Sequence, residues 1–224
     1  LSTPELRGEF IEVYCDQGRE EAGSWLNENH GPIGTAELEH RLGRYGLNPC
    51  GEILGADFHC NLAEVHLNQI DPSDEEGQGD AFRAGALSVA CLLNHRFEVE
   101  RYRQSREWDP IVGVSFTGLF DFFVHAFGSA WLRWWEAGRP ETAEGRQFKQ
   151  QEATYLSRWK KIVNETVWDY CDRHGLRRPN RCTTVQPAGT KSLLTGAAPG
   201  WHPPKAQRFI RRITFRKNDP VAMA

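Results

Sequence analysis

The sequence predicts an α/β fold. Helical and strand-like patterns alternate along the chain. The strand-like stretches are short and β-branched, as in Trp108–Thr117 (WDPIVGVSFT). The helical stretches are longer, and the longest runs from Glu141 to Arg173 without an internal proline. The chain has 224 residues, enough for one sizeable core, and no linker divides it.

The elements follow in order. Ser2 suits an N-cap, with Glu5 three residues on, for a helix with the apolar stripe Leu6, Phe10, Val13 and Tyr14 that ends at Gly18. A short helix covers about Glu20 to Asn27, and Gly31 to Gly46 is loop-rich. Cys60 to Ile70 (CNLAEVHLNQI) reads as a strand with Leu62 as a packing residue. Asp71-Pro72-Ser73-Asp74 ends it and caps a helix from Glu75 to His95, with Phe82, Ala86, Val89, Leu92 and Leu93 inward. Trp108 to Thr117 is a buried strand or tight turn feeding a helix from near Leu119, where Trp131, Trp134 and Trp135 are packing residues. Gly175 closes the long helix. Arg181 to Val185 reads as a strand, Gln186 to Ser192 as a turn into a short helix, and Phe209 to Phe215 as a strand before a turn at Asn218-Asp219-Pro220.

Composition excludes several classes. A net charge of -3 gives no general attraction for nucleic acid or membrane. No run reaches the roughly 18 apolar residues of a membrane helix. The N-terminus has neither the basic start nor the apolar run of a signal peptide. There is no initiator methionine, which predicts a piece of a longer chain. Six scattered cysteines without a CxxC pair fit a reducing cytoplasm and free thiols, with Cys91 and Cys171 as buried small hydrophobes.

Two stretches can carry chemistry. In Asn48-Pro49-Cys50-Gly51-Glu52 a thiol lies two residues from an amide and two from a carboxylate. Gly46, Pro49, Gly51 and Gly55 argue for a loop, in which alternate residues face one side. The stretch reads either as a turn with an incidental thiol or as a Cys–Glu site whose carboxylate moves a proton. Cys50, His59, Cys60 and His66 match no common zinc spacing. Pro187-Ala188-Gly189-Thr190-Lys191-Ser192 reads either as a hydroxyl-capped turn or as an anion cradle of backbone amides with the Thr190 and Ser192 hydroxyls. It is not a Walker A loop. Arg208, Arg211 and Arg212 read as a solvated basic face. No GxSxG elbow is present, and Cys50 lacks the papain-type flanks.

In order, NPCGEI (48–53), FHCNLAEVHLNQIDP (58–72), PIVGVSFTGLFDF (110–122), TTVQPAGTKSLLTGAAPGWHP (183–203) and FIRRI (209–213) resemble ribonucleotide reductase. The resemblance runs from about residue 40 to the end and leans to the monomeric, adenosylcobalamin-dependent class II type acting on ribonucleoside triphosphates. It implies that residues 1–224 are part of a ten-stranded α/β barrel of the ribonucleotide reductase and glycyl-radical enzyme type, with Cys50 on a central finger loop. Cys50 resembles the thiyl-radical residue, Glu52 the base for the 3′-hydroxyl, and Asn48 the substrate-binding asparagine. Cys60 resembles one half of the redox-active disulfide. Residues 187–192 resemble the substrate-phosphate loop.

Adenosylcobalamin is the implied cofactor. The implied partners are a ribonucleotide substrate, deoxynucleotide or ATP effectors and a thioredoxin-like reductant, in the cytoplasm and without membrane or direct nucleic-acid contact. The second redox cysteine, the other half-barrel and a C-terminal tail with shuttle cysteines are expected outside the chain, which alone is expected to be inactive. Glu52 argues against the glycyl-radical class. A class I large-subunit fragment and a non-catalytic nucleotide-binding remnant are the alternatives.

Overall fold

The computed structural model describes residues 4–29, 45–47, 53–55, 57–59, 61–203, 210 and 214–223. The N-terminal part is helical: α1 is Pro4–Gln17 and α2 covers 19–29. Ala22 and Leu26 are buried between them, with Phe10, Val13 and Trp25 packed around. Ser2 lies outside the described residues.

Two short strands follow, β1 (Tyr45–Leu47) and β2 (Ile53–Gly55). They pair antiparallel, with Leu47 opposite Ile53. Gly46, assigned to a loop by its composition, therefore sits in a strand. The ladder of a partner strand outweighs the low strand propensity of one glycine.

The centre of the protein is a parallel βαβ unit. Strand β3 (Asn61–His66) leads through a 3₁₀ turn, Leu67–Gln69, to α3 (Glu75–Cys91). The chain then passes through α4 (Glu100–Trp108) into β4 (Val112–Thr117). Strands β3 and β4 are parallel, in register from Asn61 opposite Val112 to His66 opposite Thr117. As expected, Asp74 caps α3, its side chain accepting from the Gly77 amide at 2.8 Å.

The strand expected at Arg181–Val185 is only one parallel bridge, Thr183 to Val114, closed by Val114 N to Cys182 O (2.9 Å) and Thr184 N to Val114 O (3.1 Å). Gly113 is required here. A Cβ on it would lie 2.6 Å from Thr184 Cγ2 and 2.8 Å from Leu62 Cδ2, so only glycine lets these neighbours close on the sheet.

Each face of this sheet has its own chemistry. Ala63, Val65 and Val114 point at Gly85 of α3, where a Cβ would find them at 3.4–4.0 Å. Leu62 and Thr184 flank Gly113 on the other face. By the two-residue alternation of a strand, that second face also carries Glu64, His66, Ser115 and Thr117.

Helices α5 (Leu119–Glu136) and α6 (Ala143–Arg173) complete the packing, α5 being interrupted at Gly128. Trp159 of α6 is buried between Phe82 of α3 (stacked, 5.0 Å), Phe116 of β4 and Phe122 of α5. Burying so large a ring contributes on the order of 3 kcal/mol. Gln78, fully buried in α3, donates to Pro72 O (2.9 Å) and accepts from Trp159 Nε1 (3.2 Å) and Arg158. Glu152 of α6 accepts from Trp131 Nε1 (2.7 Å) and pairs with Arg139 (2.6 Å), tying α5 to α6. Trp131 and Trp134 are buried and Trp135 packs beside them, as the spacing predicted.

Several expectations are corrected. Helix α3 ends at Cys91 and continues as a 3₁₀ turn, Leu92–Asn94. The buried stripe runs Phe82, Ala86, Val89 and Leu93, which leaves Leu92 and, still within α3, Cys91 on the exposed side. Cys171 is buried, as expected. Trp108 belongs to α4, a helix the sequence reading missed. Within 209–215, the described residues 210, 214 and 215 are not in a strand, and the rest lie outside the described residues. The turn at 217–218 is present, with Asn218 at φ 67°, and precedes α7 (Pro220–Met223).

Burial pushes the Cys182 thiol up to about 12, with the neighbouring Cys171 acting in the same direction. The folded state therefore keeps a proton that the unfolded chain loses above the ordinary value of 9.0. That contribution is constant below pH 9 and is lost as pH rises towards 12, at about 1.4 kcal/mol per pH unit. Urea unfolding at pH 7.5 and 10.5 should show a loss that is smaller by about 2 kcal/mol in Cys182→Ala. An equal loss in both proteins would show that the thiol ionises freely in the fold.

Candidate functional site

The carboxyl ends of β3, β4 and the Thr183 bridge meet at one edge, where parallel α/β sheets offer ligand sites. A loop from Gln186 to Gly200 is strapped across it. Thr117, the fully buried last residue of β4, donates its hydroxyl proton to Ala198 O (3.0 Å) and accepts from Gly200 N (3.0 Å). Gly118 N also donates to Ala198 O (2.8 Å). Gly118 has φ 76°, and its Cβ would lie 3.0 Å from Asn68 N, so the strand-to-helix corner requires glycine. Asp121, in the first turn of α5, accepts from Ala198 N at 2.7 Å.

The end of β3 grips the same loop. His66 Nδ1 lies 2.7 Å from Thr195 Oγ1, which donates to Asn68 Oδ1 at 3.1 Å. Asn68 Nδ2 in turn donates to Thr195 O at 2.9 Å. Thr195 has one hydroxyl proton and gives it to Asn68, so His66 Nδ1 is the donor. In the neutral ring Nε2 is then the acceptor.

The loop expected to bind phosphate, Pro187–Ser192, is described in full and lies at this edge. Gln186 N donates to Ser115 Oγ of β4 at 3.1 Å. The chain turns at Ala188 (φ 48°), and Ser192 N closes the turn onto Ala188 O at 3.0 Å. A short 3₁₀ turn, Lys191–Leu194, follows. Ser192 is buried, whereas Gly189 and Thr190 are exposed and a Cβ on Gly189 would meet nothing within 4 Å. Lys191 Nζ donates to Gln186 Oε1 (2.8 Å) and pairs with Glu64 Oε1 (3.3 Å). The Glu64 side chain is only 2% exposed. Glu64 Oε2 and Gln186 Nε2 are buried without a partner among the described residues.

Asn48, Cys50, Glu52 and Cys60 lie outside the described residues, as do Arg208, Arg211 and Arg212. Residues 48–52 are the connection between the paired strands β1 and β2. Cys60 directly precedes β3 in the chain, six residues before the gripping His66. Cys15, Cys91, Cys171 and Cys182 are unbridged. The sequence reading missed Glu64, Thr117, Asp121 and Thr195. The signal for the first two was present: polar residues alternate at 64 and 66 in one strand and at 115 and 117 in the other.

A parallel βαβ core with a loop hydrogen-bonded across its carboxyl edge defines an α/β segment. Its fold is similar to part of a crystal structure of a B12-dependent, class II ribonucleotide reductase, with a TM-score of 0.51 and 24% identity over 71% of this chain and 23% of that one. In sequence the chain is homologous to segments of adenosylcobalamin-dependent ribonucleoside-triphosphate reductases. The Levilactobacillus brevis enzyme is 32% identical over 189 residues, covering 80% of this chain and 24% of that protein. The Lacticaseibacillus paracasei enzyme is 32% identical over 219 residues, covering 86% of this chain and 28% of that protein. These similarities bear out the resemblance read from the motifs and favour class II over class I. The chain spans about a quarter of the length of these relatives. No family model matches it. No helix among the described residues is long and apolar enough to cross a membrane.

Thr117→Val keeps the shape but leaves the Gly200 amide without its acceptor, at a cost of about 1–3 kcal/mol. Thr117→Ser should recover most of that loss. The urea midpoints of the two variants check this, and equal stability of Thr117→Val and wild type would show that the strap carries no energy.

Proposed function

We propose that this chain contributes catalytic elements of an adenosylcobalamin-dependent ribonucleoside-triphosphate reductase, which makes deoxyribonucleotides for DNA synthesis in the cytoplasm. The observation that carries this reading is the similarity to reductases of that name over four-fifths of the chain. It is supported by a loop, 187–192, seated at the carboxyl edge of a parallel sheet. Residues 1–224 then form part of a ten-stranded barrel, in which the polar face of β3 and β4 turns inward.

Within this reading, each residue has one task. Cys50 Sγ takes the hydrogen from the ribose C3′, Glu52 holds the proton of the 3′-hydroxyl, and Asn48 hydrogen-bonds the sugar beside it. Cys60 and a second thiol give two electrons as they join in a disulfide, and the 2′-hydroxyl leaves as water. The amides and hydroxyls of 187–192 bind the phosphates. A thioredoxin-like protein restores the thiols, and deoxynucleotides or ATP act as effectors.

Adenosylcobalamin, when bound, supplies the one-electron oxidation of the Cys50 thiol. The described residues offer it no evident cradle. A cleft of about 260 Å³ under Trp201 is lined by core side chains such as Phe82, Phe116 and Trp159, and none is assigned to the cofactor.

In the complete enzyme, Cys50→Ser should abolish turnover and leave nucleotide affinity nearly unchanged. Glu52→Gln should slow kcat by roughly 10²–10⁴. Electron paramagnetic resonance with adenosylcobalamin, nucleotide and reductant should give a coupled cobalt–thiyl signal that Cys50→Ser lacks. Deoxynucleotide formation by that variant would overturn the radical assignment.

A further inference from the structure

Lys191 is the one cation of the 187–192 loop, so a direct ion pair with a bound phosphate is its obvious role. The structure assigns it another task. Its ammonium lies between two oxygens that belong to the sheet edge: Gln186 Oε1 at 2.8 Å and Glu64 Oε1 at 3.3 Å. An ammonium has only donors, so the Gln186 atom facing it must be the oxygen. Gln186 is itself fixed to β4 through Ser115 Oγ. The loop starts beside β4 at Gln186, turns at Ala188 and is pinned back at Lys191 onto both Gln186 and β3.

We propose that Glu64 is a positioning residue, acting through Lys191 to hold the loop in its ligand-ready turn, and that anion binding falls to the backbone amides of 188–191 and the Thr190 hydroxyl. This rests on the reading of 187–192 as a phosphate loop.

Two observations support the brace. The Glu64 carboxylate is almost wholly buried, and Lys191 is the only cation paired with it among the described residues. If the ammonium left to meet a ligand, it would strand a buried charge, which is far costlier than breaking an exposed pair. The paired charges also cancel, so Lys191 adds little net attraction for an anion. The Ser192 amide, which closes the turn onto Ala188 O, reports whether the turn is held.

The test is a double-mutant cycle of Glu64→Gln and Lys191→Met in this chain, with two readouts. Hydrogen exchange at the Ser192 amide should speed up by roughly tenfold in each single variant and no further in the double variant. Binding of inorganic tripolyphosphate, followed by calorimetry, should weaken to the same extent in both single variants, with the salt dependence of the wild type retained. Tighter binding in Glu64→Gln together with weaker, less salt-dependent binding in Lys191→Met would overturn the brace and make Lys191 a direct ligand. Unchanged Ser192 exchange in both variants would also overturn it. If the wild type binds no tripolyphosphate while Ser192 exchange still couples the two residues, the brace stands and the phosphate reading falls.

Discussion

The hydroxyl of Thr117 is the constraint on which this site depends. It sits fully buried at the end of β4, gives its proton to Ala198 O and takes one from Gly200 N. A buried hydroxyl is tolerated only when both of its roles are used, and both partners here come from one distant loop. The loop therefore has one position relative to the sheet. Asp121 and the Gly118 amide fix Ala198 from the side of α5, and the His66–Thr195–Asn68 chain fixes the loop from the side of β3.

That arrangement requires a sheet whose two faces do different things. The face towards α3 and α6 is apolar and carries the packing energy through Phe82, Phe116, Trp159 and their neighbours. The opposite face carries Glu64, His66, Ser115 and Thr117, which form specific polar contacts at some cost in desolvation. The helical layer supplies the stability that lets the polar face stay buried. Gln78 and Glu152, with hydrogen bonds on both carboxamide and both carboxylate sides, keep that layer in register.

Much of this was legible in the sequence where one residue type had one physical use. Asp74 caps α3, apolar spacing placed Phe82, Ala86 and Val89 inward, and the uninterrupted pattern of 141–173 gave the long helix. The failures share a cause. Arg181–Val185 has strand propensity, yet it forms a single bridge because its partners there are limited to Val114. Leu92 and Cys91 are apolar residues in a helical stretch, but the buried stripe runs through Val89 and Leu93 and leaves both exposed. Helix α4, highly charged, shows no apolar stripe to read.

For function the division is similar. Ordered motifs alone related the chain to ribonucleotide reductases, and the homologous enzymes bear that out. By its residues 187–192 fits a hydroxyl-capped turn as well as an anion cradle, and only the resemblance marked it as a phosphate loop. The sequence did not show that Glu64, 127 residues from Lys191, would face that lysine, or that Thr117 would hold Ala198 and Gly200. Such pairings depend on parallel register and on the path of the loop back across the sheet. Local propensity carries no information about either, and only the packed core fixes them.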